Sequence, residues 1–136
     1  MALVVPDEGE VALLDMLVNG DTLANAELRL YENNLTPDED TVYGDFNEAT
    51  FTGYAAQTPT FGSASIVSHK GSISDTATRD FVCSTAGTPD VIYGYYVVDA
   101  VNNLVLWAER FASPITIAAA GDTISINLVF TEDSEN

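Results

Sequence analysis

Nucleophilic chemistry would have to come from His69 and Cys83, because the chain holds one histidine and one cysteine. A thiol nucleophile needs a base in hydrogen-bond reach, and that base needs a third group to orient it. His69 lies in Ser68-His69-Lys70-Gly71, which reads as an exposed hairpin tip. Cys83 lies in Asp80-Phe81-Val82-Cys83-Ser84, which reads as a strand with the sulfur buried as a small apolar group. A Cys83–His69 dyad exists on paper, against the simpler reading of a loop histidine and a core cysteine. A serine triad would want a nucleophile on a strained strand-to-helix turn. No Gly-x-Ser-x-Gly elbow occurs. The residue types therefore predict no catalytic set and no enzyme.

Carboxylates are the abundant group, with 21 Asp and Glu in 136 residues. Any two of them can be nominated as an acid–base pair, so abundance alone selects none. Asp38-Glu39-Asp40 is the densest short run, and hard cations such as calcium take six to eight oxygens. The EF-hand spacing, with its central glycine and terminal glutamate, is absent, and a solvated acidic loop is the expectation. Zinc wants His and Cys ligands, of which this chain offers one each. Gly44, Gly53, Gly62 and Gly71 stand singly rather than in a phosphate-cradling loop. No metal and no cofactor is expected. Tyr93, Tyr95, Tyr96 and Trp107 could stack on a sugar, but aromatics at alternating strand positions more often form core and cross-strand pairs.

Charge excludes two classes of partner. Four basic residues, Arg29, Lys70, Arg79 and Arg110, face the 21 acidic ones for a net charge of −17. Nucleic-acid binding needs clustered cations that displace phosphate counterions, and an anionic membrane needs the same. Neither partner is expected. Strong negative charge favours solubility and suits a protein crowded on a water-facing surface. A saline habitat would select it equally well. A single cysteine precludes an internal disulfide. Met1-Ala-Leu-Val-Val-Pro6 lacks the basic segment and apolar length of a signal peptide, and no run approaches the ~20 apolar residues of a membrane span. The expectation is a protein made in the cytosol that stays soluble, unless exported as part of a larger assembly.

The elements that would position these groups are short. A domain of this length buries roughly two-thirds of its unfolded surface, and 46% hydrophobic residues supply a core. An arm over 1–6 precedes a single domain over 7–131 and an acidic tail over 132–136. Asp7 caps a predicted helix at about 8–19, with Glu10 three residues later as in a capping box. Val11, Leu14, Leu17 and Val18 form one apolar stripe with a face to bury, and Asn19-Gly20 ends it. The period then turns to two at Ala26, Leu28 and Leu30. Residues 43–54 read as irregular, with a helical turn near 46–48. Short strands are predicted at 57–61, 64–68, 72–75, 78–84, 91–99 and 104–111, the last two as a hairpin with a loop of about five residues. A second hairpin is predicted from 114–119 and 123–131 around Gly121-Asp122. This spacing predicts a mainly β fold, an antiparallel β-sandwich or jelly-roll-like barrel with one short N-terminal α-helix.

Several phrases occur together: Val5-Pro6-Asp7-Glu8-Gly9-Glu10 before Leu13-Leu14, Leu30-Tyr31-Glu32-Asn33-Asn34, Thr36-Pro37, Phe46 to Tyr54, Tyr93-Gly94-Tyr95-Tyr96 and Leu106 to Phe111. In these the chain resembles small proteins encoded among the virion genes of tailed bacteriophages. The resemblance implies a structural part of the virion, foremost a capsid decoration or cement protein: small, β-rich, often trimeric and seated on the outer surface of the head. It implies the major capsid protein or other virion proteins as partners. A tail, fibre or baseplate component with a carbohydrate-binding tyrosine cluster is the alternative. Leu3, Val4 and Val5 are the candidate partner contacts, through strand addition to a capsid subunit or neighbouring protomer. They serve equally well as a first strand of the protein's own sheet.

Overall fold

The computed structural model describes residues 3–19 and 25–132. In chain order these form helix α1 (Asp7–Asn19), strand β1 (Ala26–Tyr31), a 3-10 turn at Tyr43–Asp45, and strands β2 (Ser65–Val67), β3 (Lys70–Ser74), β4 (Arg79–Val82), β5 (Asp90–Asp99), β6 (Leu104–Ile117), β7 (Thr123–Ile126) and β8 (Val129–Glu132). Three antiparallel sheets result, in the orders β1-β5-β6, β2-β3-β8 and β4-β7. The fold is mainly β and sandwich-like, with the single N-terminal helix outside the sheets.

β5 explains the arrangement. It is the central strand of its sheet, and a strand covered on both faces needs apolar residues at successive positions rather than alternate ones. Val91-Ile-Tyr-Gly-Tyr-Tyr-Val-Val98 has that character, and Gly94 through Asp99 are all buried. One face meets the larger core of Leu28, Leu30, Val97, Phe81, Ile124 and their neighbours. The other face meets a smaller cluster in which Phe46 stacks on Tyr96 at 4.3 Å and Tyr31 approaches both edge-on. Gly94 is required here: a Cβ would strike the Glu109 carbonyl and come within 2.6 Å of the Tyr31 hydroxyl.

β5 and β6 form the expected hairpin. Asp99 pairs with Leu104 across residues 100–103, and the Asp99 carboxylate accepts from the Val101 and Asn102 amides. Asn103 takes the left-handed conformation that asparagine tolerates. The second expected hairpin does not form. β6 continues through Pro114 to Ile117, where it pairs with Asp90 of β5, so 114–117 are not a separate strand. The Asp122 carboxylate accepts from the Ala118 and Ala119 amides and turns the chain away. β7 then pairs with β4, and β8 with β3. Residues 57–61 contribute only isolated bridges, at Gln57 and Phe61. The 3-10 turn sits at 43–45 instead of 46–48, closed by an Asp45 carboxylate that accepts from the Val42 amide.

The helix begins one residue early and packs on an unexpected face. The Pro6 carbonyl accepts from Gly9 and Glu10, which puts Asp7 inside the first turn rather than before it. Gly9 is the buried residue of the helix, and Ala12 and Met16 pack on the core beside it. Gly9 lies directly on β6, where a Cβ would strike the Leu106 carbonyl and stand 2.6 Å from that of Val105. Only a small side chain lets a helix approach a strand backbone so closely. Val11, Leu14, Leu17 and Val18, the stripe expected to be buried, are 62, 59, 80 and 74% exposed. The acidic tail at 133–136 falls outside the described residues.

Candidate functional site

The N-terminal arm joins its own sheet. Val4 bridges Ala108 of β6, donating its amide at 2.9 Å and accepting at 2.8 Å. Leu3 and Val5 are partly buried against the main core. Of the two roles open to this arm in the sequence, Val4 takes that of a strand addition within the chain. The addition meets the β6 edge at Ala108. The β1 edge is met by bridges from Glu48 and Gln57. A sheet with unpaired edges invites pairing with other chains, and bridges occupy part of each edge of the largest sheet, at Ala108 of β6 and at Leu28 and Tyr31 of β1. β2 is different: it ends its sheet, its residues Ser65–Val67 are all exposed, and Ile66 is 74% exposed.

His69 and Cys83 are held in unrelated places. Ser68 and His69 both take left-handed conformations at the β2–β3 turn, and His69 is exposed there. Cys83 follows β4, is 3% exposed and donates to the Thr85 carbonyl. A residue so enclosed is packing, as its surroundings in the sequence indicate. The tyrosine and tryptophan cluster does not form a platform either. Tyr95 is buried with its hydroxyl on Glu109, Tyr96 is stacked under Phe46, and Trp107 sits between Phe61 and Phe130. Tyr93 is half-buried, with the Arg110 guanidinium over its ring at 5.1 Å. Sugar stacking needs exposed ring faces, and Tyr95, Tyr96 and Trp107 offer none.

Sequence reasoning missed a concave site that brings together two acids distant in the chain. Glu32, just after β1, and Asp90, which opens β5, line one cleft together with Asn47, Thr50, Thr85 and Thr88. Thr50 donates its amide to Asp90 at 3.2 Å and its hydroxyl to Glu32 at 3.0 Å. Burial and the neighbouring Asp90 raise Glu32 above the ordinary glutamate value. The two residues are 58 positions apart, so only the fold could have paired them. The described residues hold no group of three or more His, Cys, Asp or Glu placed to bind a metal. Asp38, Glu39 and Asp40 are exposed and rim an open groove with Leu3, Val5 and Glu10.

The arginines are committed inside. Arg29 bonds Glu27 and Tyr43 and pairs with Glu48 at 3.4 Å. Arg79 forks onto Asp75, whose side chain is fully enclosed. Arg110 donates to the Leu35 carbonyl and to Asn34. Among the described residues, the most exposed large apolar side chains lie on the outer face of α1 and on the edge strand β2, in a chain whose net charge is −17. No protein-family model matches the chain, and no curated protein matches it.

Proposed function

We propose that this chain is a non-enzymatic structural protein of a bacteriophage virion, acting as a decoration or cement protein on the outer surface of the capsid. The single observation that carries the docking reading is where the apolar side chains lie. Trp107, Tyr95, Tyr96 and Cys83 are turned inward, whereas Leu14, Leu17 and Val18 of α1 and Ile66 of β2 are more than half exposed. Clustered exposed apolar side chains mark surfaces that meet another protein. The virion assignment rests on the resemblance of the quoted phrases to phage virion proteins, and the net charge of −17 agrees with a water-facing position rather than one against packaged DNA.

In this reading the partner is the major capsid protein, or another virion protein at its surface. Each copy bridges neighbouring shell subunits and binds the assembled shell in preference to its separated parts, which stabilises the shell by mass action. Assembly as a trimer would join three modest contacts into one of high avidity. The test mixes purified protein with undecorated expanded shells. Binding with a rise in shell melting temperature is expected; absence of both overturns the proposal.

A further inference from the structure

The helix α1 is apolar on two sides, and the fold uses one. At roughly 100° per residue, Gly9, Ala12 and Met16 share the side laid on β6, while Val11, Leu14, Leu17 and Val18 form the opposite arc. That outer arc stays 59–80% exposed. It is also a rigid surface. Gly9 is in backbone contact with β6, and the Glu8 carboxylate accepts the amides of Tyr43 at 3.2 Å and Val105 at 2.6 Å. An interface presented on an anchored element loses little freedom when it binds.

Charge identifies the occupant. Asp7 and Glu10 lie on the same arc as Leu14 and Leu17, and Asp15 lies at its margin. Asp38, Glu39 and Asp40 stand beside the helix N-terminus, where the Asp7 amide donates to the Glu39 carbonyl. The helix itself carries no lysine or arginine. A second copy laid against this face would add further carboxylates with no cation on either helix to answer them, on chains of net charge −17 each. A lipid surface is met by helices whose apolar face is bordered by lysine and arginine, the reverse of this one. We propose that the outer face of α1 docks into an apolar groove edged with lysine and arginine on a different protein. The inference builds on the docking reading above but names the face and the chemistry of what covers it.

The test uses the full chain and a labelled amphipathic Leu/Lys helical peptide as the basic apolar probe. A Lys/Ser peptide of equal charge and a Leu/Glu peptide serve as comparisons. Saturable binding of the Leu/Lys probe is expected, with amide shifts on 11–18. Leu14→Ser/Leu17→Ser should weaken it by about tenfold or more, as for central apolar anchors. Both substitutions fall on exposed positions, and an unchanged circular dichroism spectrum with Leu17→Gln as a second variant guards against misfolding. Equal binding of the Lys/Ser peptide, or indifference to both variants, overturns the inference. So does a homo-oligomer in 0.5 M salt that both variants dissolve, or binding to phosphatidylcholine vesicles that both abolish. The same variants separate the two proposals on capsid shells. If wild type and variants decorate shells alike, the shell reading stands and the helix face fails; if the probe result holds and shells are ignored, the reverse follows.

Discussion

The Glu8 carboxylate accepts the backbone amide of Val105 at 2.6 Å, across 97 positions of sequence. Val105 sits at the register shift between Val97 and Val98, where the β5–β6 ladder is interrupted. β6 is the outer strand of its sheet, so an amide on its free side needs an acceptor from elsewhere, and the helix supplies it. With the Tyr43 amide on the same oxygen, Glu8 joins helix, loop and sheet.

Glu8→Ala leaves both amides without an acceptor. A loss of about 2 kcal/mol is expected from unmet donors of this kind, and Glu8→Gln should lose less because its oxygen still accepts. Urea unfolding of the three proteins checks the order; equal midpoints for wild type and Glu8→Ala would dismiss the link.

Gly9→Ala drives a methyl into the Leu106 carbonyl, and the helix must lift off β6. Overpacking of this sort costs about 1–3 kcal/mol. Leu17→Ala, on the exposed arc, should change stability by less than about 0.5 kcal/mol. Denaturation of both variants tests the claim that the small-residue side, and not the leucine side, holds the helix down.

Asp75 is enclosed, takes both arginine nitrogens at 2.6 and 2.7 Å, and accepts from the Thr60 and Ala77 amides. Arg79, first among these, holds it below its ordinary value of 3.8. A carboxyl depressed in the fold stabilises above its unfolded value and loses that contribution as pH falls through the folded one. Asp75→Asn should therefore destabilise by about 2 kcal/mol at pH 7, with the gap to wild type closing below about pH 4. Thermal melts at pH 7, 4 and 3 decide it; a gap that does not change with pH would refute the assignment.

Glu32 behaves with the opposite sign. Burial, together with Asp90, raises it above 4.5, so the charged form is disfavoured in the fold. Its contribution is fully favourable below pH 4.5 and declines as pH rises through the higher folded value. Glu32→Gln should be at least as stable as wild type at pH 7 and relatively less favoured at pH 4. If the difference in melting temperature between variant and wild type is the same at both pH values, the Glu32 carboxyl is not coupled to folding.

Several elements were legible in the sequence because they depend on neighbours along the chain. The period-two residues Ala26, Leu28 and Leu30 do face one core. The Asn102-Asn103 turn does close the β5–β6 hairpin, since Asp99 and the amides it accepts are local. Gly121-Asp122 does turn the chain, by the Asp122 carboxylate. Cys83 is buried, as its apolar neighbours Phe81 and Val82 indicate. The meeting of Glu32 and Asp90 at Thr50 had no such signal: each acid is one of 21, and neither lies in a motif.

What the sequence determined by itself is the β-rich class, the place of the one helix and the excess of negative charge, all of which follow from local periodicity and composition. Tertiary structure alone decided that β7 leaves β6 to pair with β4, and that Val4 bridges the β6 edge at Ala108. It also chose the face of α1. Hydrophobicity favoured Val11, Leu14, Leu17 and Val18, but the β6 backbone admits only the side where Gly9 has no Cβ, so shape prevailed over apolar content and left the leucines outside.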